Sequence, residues 1–492
     1  MSLTRRATDT HDVDVIVVGG GGSGLAAAVS AAQAGASVLV LESQARPGGT
    51  SRMAVGSISA AGTELQRRAG IVDSAQDFVT DMQAFTADLL AHDNAPLREV
   101  LAKEAAPTVE WLRSLGVVFV GPYPEPPHRV ERMHNAIPGA AAIVDRLLLA
   151  CRRLGVRIQT QVVVRELNHD AKGRVHGVVY EQGGQRHEAA AQRAVILASG
   201  DFSGSEDMRA AHLATEAARA MPINPGNTGL LFEVSCQLGA QPLNMGRVFG
   251  PQMRFPSGLQ ASLAERMPNW PWLSRLAALF FEHAPSRLKR SLAKPLLMAH
   301  MSPSEQLFVQ GAILVDEDGH RLDHQRPAQS IAMTASRRGF IVMDDRVASQ
   351  FNALPYFIST APGIAYAFLD DYRKGRPDIT FQAADIASLA RALGMRDDRE
   401  LHHSLAGKTA HHWVALGPVQ AMLTTTEGSL AINGQCQVLG SQAHPIEGLY
   451  AVGCIGQGGL LLRGHGLHLA WAYTSGRLAG AHAAARQTME ES

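Results

Sequence analysis

The residues with the most chemistry to offer stand near the C-terminus, in Arg463-Gly464-His465-Gly466. A fixed cation and an imidazole alternate with glycines, whose missing side chains let a substrate and a cofactor come close. Arg463 and His465 are therefore candidates to bind or polarise a substrate oxygen. The Gly466 N–H opens a long helix read over Leu467 to Ala485, so the helix start adds a backbone donor and a partial positive charge. His134, in Arg132-Met133-His134-Asn135, adds a second imidazole, suited either to shuttle a proton near neutral pH or to pack a loop. The pairs His402-His403 and His411-His412 come without clustered carboxylates or cysteines, and no metal is expected. Cys151, Cys236, Cys436 and Cys454 are too scattered for an attached haem, the usual iron–sulfur spacings or a disulfide framework.

Such groups need a scaffold, and the N-terminal stretch supplies its plan. Asp14 to Val18 is a short β-branched run that ends in Gly19-Gly20-Gly21-Gly22-Ser23-Gly24 and opens into the alanine-rich segment Leu25 to Ala34. Strand, tight turn and helix follow in that order. Gly19, Gly21 and Gly24 hold the G-x-G-x-x-G positions, for the turn, for close backbone approach to a pyrophosphate and for helix-on-strand packing. A second strand, Ala36 to Leu41, ends in Glu42, placed to accept ribose hydroxyls. The unit predicts dinucleotide binding. No second unit of this kind follows, which argues against direct use of a nicotinamide.

After Glu42, the loop Ser43 to Arg52 carries Gly48-Gly49-Thr50-Ser51, and the strip Ala54 to Thr63 is built of small residues that could lie against a flat ring. Helices are read over Asp73 to Leu90 and over Pro96 to Leu115, the second interrupted at Pro107. Strands are read over Gly155 to Val164, Val175 to Glu181 and Ala194 to Leu197, the last running into Ala198-Ser199-Gly200. From Ser203 the pattern changes to Pro-rich turns, an aromatic cluster (Trp270, Trp272, Phe280, Phe281) and a basic helical stretch, Ser286 to Lys294. The cluster is read as core, with a weak membrane or partner contact through 270–294 as the alternative. The chain returns to strand and glycine at Gly448 to Gly453. The expected division is a nucleotide-binding domain over 1–202 and 357–492, with a capping domain inserted over 203–356. Lys+Arg and Asp+Glu balance at 45 each, so no global charge favours nucleic acid. With no signal-like N-terminus and no apolar run long enough to span a bilayer, a cytoplasmic protein is expected.

The motifs Gly19–Gly24 with Glu42, Gly48-Gly49-Thr50-Ser51, Ala198-Ser199-Gly200, Asn227-Thr228-Gly229 and Gly448 to Gly453 with the closing helix resemble the FAD-dependent fumarate reductase and 3-ketosteroid dehydrogenase superfamily. The resemblance implies an α/β fold: a doubly wound Rossmann-like FAD-binding domain with an inserted α+β capping domain over the flavin. It also implies FAD contacts at these motifs and at Gly22, Ser23, Ser43, Gly56, Ser57, Val163, Cys454, Leu467 and His468. Covalent relatives attach flavin through a histidine in the loop after the acid. Gln44 to Met53 contains none, so non-covalent FAD is expected.

The departures set the chemistry apart. Where fumarate reductases place a proton-delivering arginine, this chain has Gln329, with Arg326 off register, and Glu305 stands at a proton-relay acid position. The carboxylate-binding H-T-x-G-G motif reads Thr425-Thr426-Glu427-Gly428-Ser429, while Arg463 matches a carboxylate-binding arginine. Cys454 and Leu230 replace acids. Gly466 matches the backbone donor of ketosteroid dehydrogenases, but Leu462 stands at their tyrosine position. His134 lies where relatives carry an active-site histidine. The expected function is an FAD-dependent dehydrogenase forming a C=C bond beside the carbonyl of a ketone or keto acid, with an electron acceptor the sequence does not identify. The alternatives are a flavin reductase of an unsaturated carboxylic acid and a non-catalytic FAD electron-transfer subunit.

Overall fold

The computed structural model describes residues 11–256, 270–283, 285, 294–295, 297–298, 301–361 and 365–486. Its first sheet is organised around strand β1 (His11–Val18), which lies parallel to β2 (Val38–Glu42) on one side and to Gln185–Leu197 on the other. Arg157–Thr160 extends the parallel set beyond β2, and Pro445–Ala451 extends it beyond Gln185–Leu197. The apolar residues Val15, Ile16, Val17, Leu39 and Val40 are fully buried, as expected of parallel strands covered on both faces. An antiparallel hairpin, Val162–His169 and Val175–Gln182, leads into Gln185–Leu197. The expected strand Gly155 to Val164 is broken in two at Gln161, which has a positive φ of 58°.

Helix α1 (Gly22–Gln33) packs directly on the closing helix Leu467–Ala484. Their approach is set by missing side chains. A Cβ on Gly476 would stand 2.3 Å from the Ser23 carbonyl oxygen, and one on Gly480 would stand 2.2 Å from that of Ala27. Ala26 and Ala27 complete this thin seam, so backbone meets backbone across it. The helix Ala95–Ser114 runs through Pro107 without the expected interruption. The preceding helical stretch divides instead into Ala75–Ala84 and a 3-10 turn, Ala87–His92.

A second, six-stranded sheet is centred on Trp413–Leu423, which pairs with Met221–Pro222, Gln252–Arg254, Arg338–Asp344 and Thr380–Ala383, while Ile313–Val315 adds to Arg338–Asp344. The expected cap boundary at 356 cuts through this sheet, because its central strand and Thr380–Ala383 both come from beyond that residue. The Gly417-Pro418 pair makes the central strand hard to see in sequence, since proline removes a ladder donor. The ladder accommodates it with a register shift opposite Gly339 and Ile341.

The aromatic cluster is not core where it is described. Trp270 and Trp272 stack with centroids 5.8 Å apart and are 55% and 57% exposed, with Leu276 and Leu279 exposed on the same helix, Pro271–His283. The basic stretch Ser286 to Lys294 lies outside the described residues except for Lys294, which pairs with Asp371. Among the described residues no helix is long and apolar enough to cross a membrane, and no group of three metal-ligating side chains occurs.

Candidate active site

The end of β1, the start of α1 and the end of β2 open onto one cleft. Gly19 has φ +109°, and a Cβ there would lie 2.3 Å from the Ala198 carbonyl oxygen. A Cβ on Gly24 would lie 1.9 Å from the Gly19 carbonyl oxygen, so only glycine lets α1 close on β1. Gly21 differs. A Cβ there meets nothing within 4 Å, because that backbone edge faces the open cleft. The middle glycine of the motif is thus where a ligand can approach the helix start.

Glu42 is buried and held in place by two backbone donors. Its Oε2 accepts the Gly20 N–H at 2.6 Å and its Oε1 accepts the Gln44 N–H at 2.7 Å. Oε1 also accepts from the Ser43 hydroxyl at 3.3 Å, and Oε2 keeps lone-pair capacity for a further donor such as a ribose hydroxyl. The second glycine pair docks on the first. Gly48 forms an isolated parallel bridge with Gly21, and its N–H donates to the Gly20 carbonyl at 2.9 Å.

From the expected cofactor contacts, Gly19, Gly21, Gly22 and Ser23 line the cleft together with Glu42, Ser43, Gly49, Thr50 and Ser51. Val163, Ala198, Ser199 and Gly200 form its floor and far wall, and Asn227, Thr228, Gly453 and Cys454 complete it. Gly24, Gly48 and Gly229 lie outside this lining; Gly229 packs instead on Met208 and Phe202. Gly56 and Ser57 also lie outside it, and Gly56 fits against the backbone of Gly139 and Ala140. Sequence reasoning missed Gln44, Asn224, Gly226 and Ala472, all of which line the cleft. Asn224-Pro225-Gly226-Asn227 carries a turn signature that marks this loop. Its Asn224 side chain donates to the Thr50 hydroxyl at 2.9 Å, closing the loop over the cleft.

A family model described as an FAD binding domain matches residues 14–269, just over half of the chain. The chain belongs to this FAD-binding family. A probable fumarate reductase of Shewanella frigidimarina is 24% identical over 85% of this chain, which spans 66% of that relative's length. A vinyl phenol reductase of Lactiplantibacillus plantarum is 25% identical over 92% of each chain. The 3-oxosteroid 1-dehydrogenase of Comamonas testosteroni is 32% identical over 24% of this chain and 21% of its own. Among solved structures, the open conformation of a flavocytochrome c3 fumarate reductase superposes with a TM-score of 0.73 at 21% identity, covering 96% of this chain and 78% of that one. The 3-ketosteroid delta1-dehydrogenase of Sterolibacterium denitrificans gives 0.69 at 18% identity, covering 97% and 100%. These two likenesses establish the shared fold. The protein is an FAD-dependent oxidoreductase related to both groups.

The residues present fit FAD on observations of their own. The Tyr473 hydroxyl is buried without a hydrogen-bond partner, and its ring lies 2.9 Å from an ideal Cβ on Gly22, beside the glycine loop. His468 Nε2, in the first turn of the closing helix, is likewise buried and unpartnered. Burial lowers the His468 pKa to about 4, which keeps the ring neutral. Burial also pushes the Cys454 thiol up to about 12, so no thiolate forms in the cleft. Leu467 and His468, also expected as cofactor contacts, lie outside the cleft lining in that first turn, whose N–H groups have no partner within the helix.

A carboxylate that sequence reasoning passed over ties the chain after Gln185–Leu197 to two distant loops. Asp201 Oδ1 accepts from the Asn227 side chain at 2.6 Å and from the Ser203 hydroxyl at 2.8 Å. Its Oδ2 accepts from the Thr425 hydroxyl at 2.7 Å and from the Thr426 N–H at 2.5 Å. Thr425–Thr426 pairs in turn with Val248–Phe249, whose Phe249 ring stands 5.7 Å from His468. Cap, flavin domain and closing helix therefore converge beside Gly466.

The four expected catalytic residues fare differently. His134 is fully buried, its Nε2 2.8 Å from the Thr63 hydroxyl and its Nδ1 3.3 Å from the Ile58 carbonyl. Burial lowers its pKa to about 4. With both ring nitrogens engaged, it braces the strand pair Ser57–Ser59 and Met133–Ile137 and has no free nitrogen for a substrate proton. His465 is over half exposed, and its Nδ1 lies 2.8 Å from Oε1 of the buried Glu125. Gly466 takes a left-handed conformation, φ +83°, against Ser59, which fixes the start of the closing helix. Arg463 stands 3.6 Å from the buried Glu427. Separately, Glu305, Arg326 and Gln329 line one cap cavity of about 390 Å³ with Gln252 and Met253.

Proposed function

We propose that this protein is a dehydrogenase that forms a C=C bond beside a substrate carbonyl. FAD, when bound, supplies the hydride acceptor for such a reaction. Gly21, Glu42, Thr50, Ser51 and Tyr473 are the groups that hold it. The closing helix directs its first-turn N–H groups to one place, where they stabilise negative charge developing on the substrate carbonyl oxygen. His465, oriented by Glu125, takes up the proton released from the carbon next to that carbonyl.

The observation that carries the direction is Gln329. A neutral amide stands at the position that resembles the proton-delivering arginine of fumarate reductases, and it lines the second cavity. One finding favours a second reading, reductase activity toward an unsaturated acid. Arg326 lines the same cavity as Glu305, so a guanidinium and a carboxylate border one space despite the shifted register, with Arg326 ion-paired to Glu216 at 3.9 Å. Anaerobic mixing with saturated cyclic ketones or keto acids separates the two. Bleaching of the oxidised flavin absorbance is expected for the dehydrogenase. Bleaching by dithionite alone, with reoxidation by unsaturated acids that is abolished in Arg326→Gln, establishes the reductase.

The electron acceptor is a separate molecule that reoxidises the flavin. The exposed face with Trp270, Trp272 and Leu276 is our proposed weak contact surface for a membrane or partner.

A further inference from the structure

Glu427 is the most anomalous side chain beside the closing helix. It is 0% exposed, and both its carboxyl oxygens are buried without a hydrogen-bond partner. Its backbone N–H is satisfied by the Arg247 carbonyl at 2.9 Å, so the peptide is anchored while the carboxyl is not. The nearest cation, Arg463, has its Nε 3.6 Å from Glu427 Oε1, and that Nε is also buried and unpartnered. The distance is too long for a hydrogen bond. The two form a loose ion pair without a hydrogen bond, the Arg463 side chain being 31% exposed, and each keeps hydrogen-bonding capacity that a third group can serve.

A single oxygen atom can bridge the pair from one side. An oxygen at about 2.8 Å from each heavy atom forms a triangle across 3.6 Å. A hydroxyl fits this arrangement because one atom can accept from Arg463 and donate to Glu427. A carboxylate does not fit. It can take the Arg463 bond, but it brings a second negative charge against Glu427 in a low-dielectric site. Glu427 also compensates Arg463, and it feels Arg247 more weakly, so the arginine is not a free anion receptor. Among the described residues with a resolved shift, Glu427 is the one carboxyl raised above its ordinary range, because burial outweighs both arginines.

The pair stands beside the start of the closing helix, where the proposed function places the substrate. Glu427 directly follows Thr425–Thr426, which Asp201 ties to the flavin domain, and Arg463 precedes the closing helix. We propose that Glu427 and Arg463 form a specificity pair that binds an uncharged hydroxyl group of the substrate and refuses a carboxylate. The inference rests on the substrate site lying at the start of the closing helix, as in the proposed function. It gives Arg463 a role in selecting the substrate and leaves carbonyl polarisation to the helix start.

The test uses the FAD-loaded protein and three probes of one ring size, phenol, benzoate and toluene, titrated while the flavin absorbance spectrum is followed. Wild type is expected to bind phenol at least about tenfold more tightly than benzoate or toluene, the factor for one good charged hydrogen bond. In Glu427→Gln, phenol should weaken and benzoate should tighten, reversing the preference, because Arg463 is released to bind an anion. Arg463→Gln in that background should abolish the gained benzoate binding. Retained flavin absorbance shows that each variant is folded. Equal binding of phenol and benzoate by wild type, binding of none of the probes, or an unchanged ratio in Glu427→Gln overturns the proposal. Should Glu427→Gln lose flavin, Glu427→Asp is read in its place: its shorter side chain widens the gap, so the phenol preference must shrink for the proposal to stand. The ketone-bleaching experiment is independent of these titrations. Its failure alongside a reversed probe preference would remove the dehydrogenase reading and leave the specificity pair in place.

Discussion

The glycine-loop end and the Arg463 end of this molecule solve opposite problems. Around Gly19 to Gly24 the governing constraint is space: a single methyl group at Gly24 would strike the Gly19 carbonyl. Around Arg463 the space is less restricted and the constraint is charge. Glu427, Arg463 and His468 all bring buried polar atoms that no protein group satisfies. The first region is built to hold one cofactor by steric fit. The second keeps unpaired groups at the cost of stability, which is the usual signature of a site shaped for a ligand.

The strongest way to break this contrast is Gly24→Val. The added side chain meets the Gly19 carbonyl at a distance no side chain tolerates, costing about 3 kcal/mol or more. The variant should purify without flavin absorbance, and a yellow, stable Gly24→Val protein would show that fit is not the governing constraint there.

Next in size is the pH response of two buried histidines, one bonded to the strand that meets Gly466 and one packed on Phe85. His134 and His128 have pKa values lowered to about 4, chiefly by burial, with Arg132 adding to the effect at His128. Above about pH 6.5 they are neutral in folded and unfolded chains alike, so they cost nothing. As pH falls from about 6.5 to about 4, the unfolded chain takes up protons that the folded chain refuses, and stability drops by on the order of 3 kcal/mol per histidine. Urea midpoints across that range should fall with pH, and His134→Gln should flatten the slope. A midpoint independent of pH would contradict the burial described.

Asp201→Ala comes third. It leaves the Thr426 N–H, the Thr425 hydroxyl and the Asn227 amide without their acceptor, a loss of about 2–3 kcal/mol. Because Asp201 joins the chain after Gln185–Leu197 to Asn227 and Thr425–Thr426, limited proteolysis should cut in these loops sooner than in wild type. Unchanged cleavage would show that the loops are held by other contacts.

The smallest effect separates bracing from chemistry. His134→Gln should lower the thermal midpoint by a few degrees, about 1 kcal/mol, with little change in turnover. His465→Gln should do the reverse, lowering turnover about tenfold at an unchanged midpoint, since His465 is over half exposed. Equal losses of turnover in both would return His134 to the reaction.

The sequence by itself determined the cofactor end. Strand β1, the glycine loop, β2 with Glu42 and the closing helix all read correctly, because each obeys local rules of strand propensity, glycine conformation and helix start. It did not determine the extent of the cap, where Gly417-Pro418 hides a central strand that its partners in the sheet sustain. Nor could it pair Glu125 with His465, 340 positions apart, or Glu427 with Arg463 across the strand and turns between them. Steric demands act between neighbours in the chain and leave a legible pattern of glycines. The charge of a buried site depends on which distant loops fold face to face, and only the tertiary structure decides that.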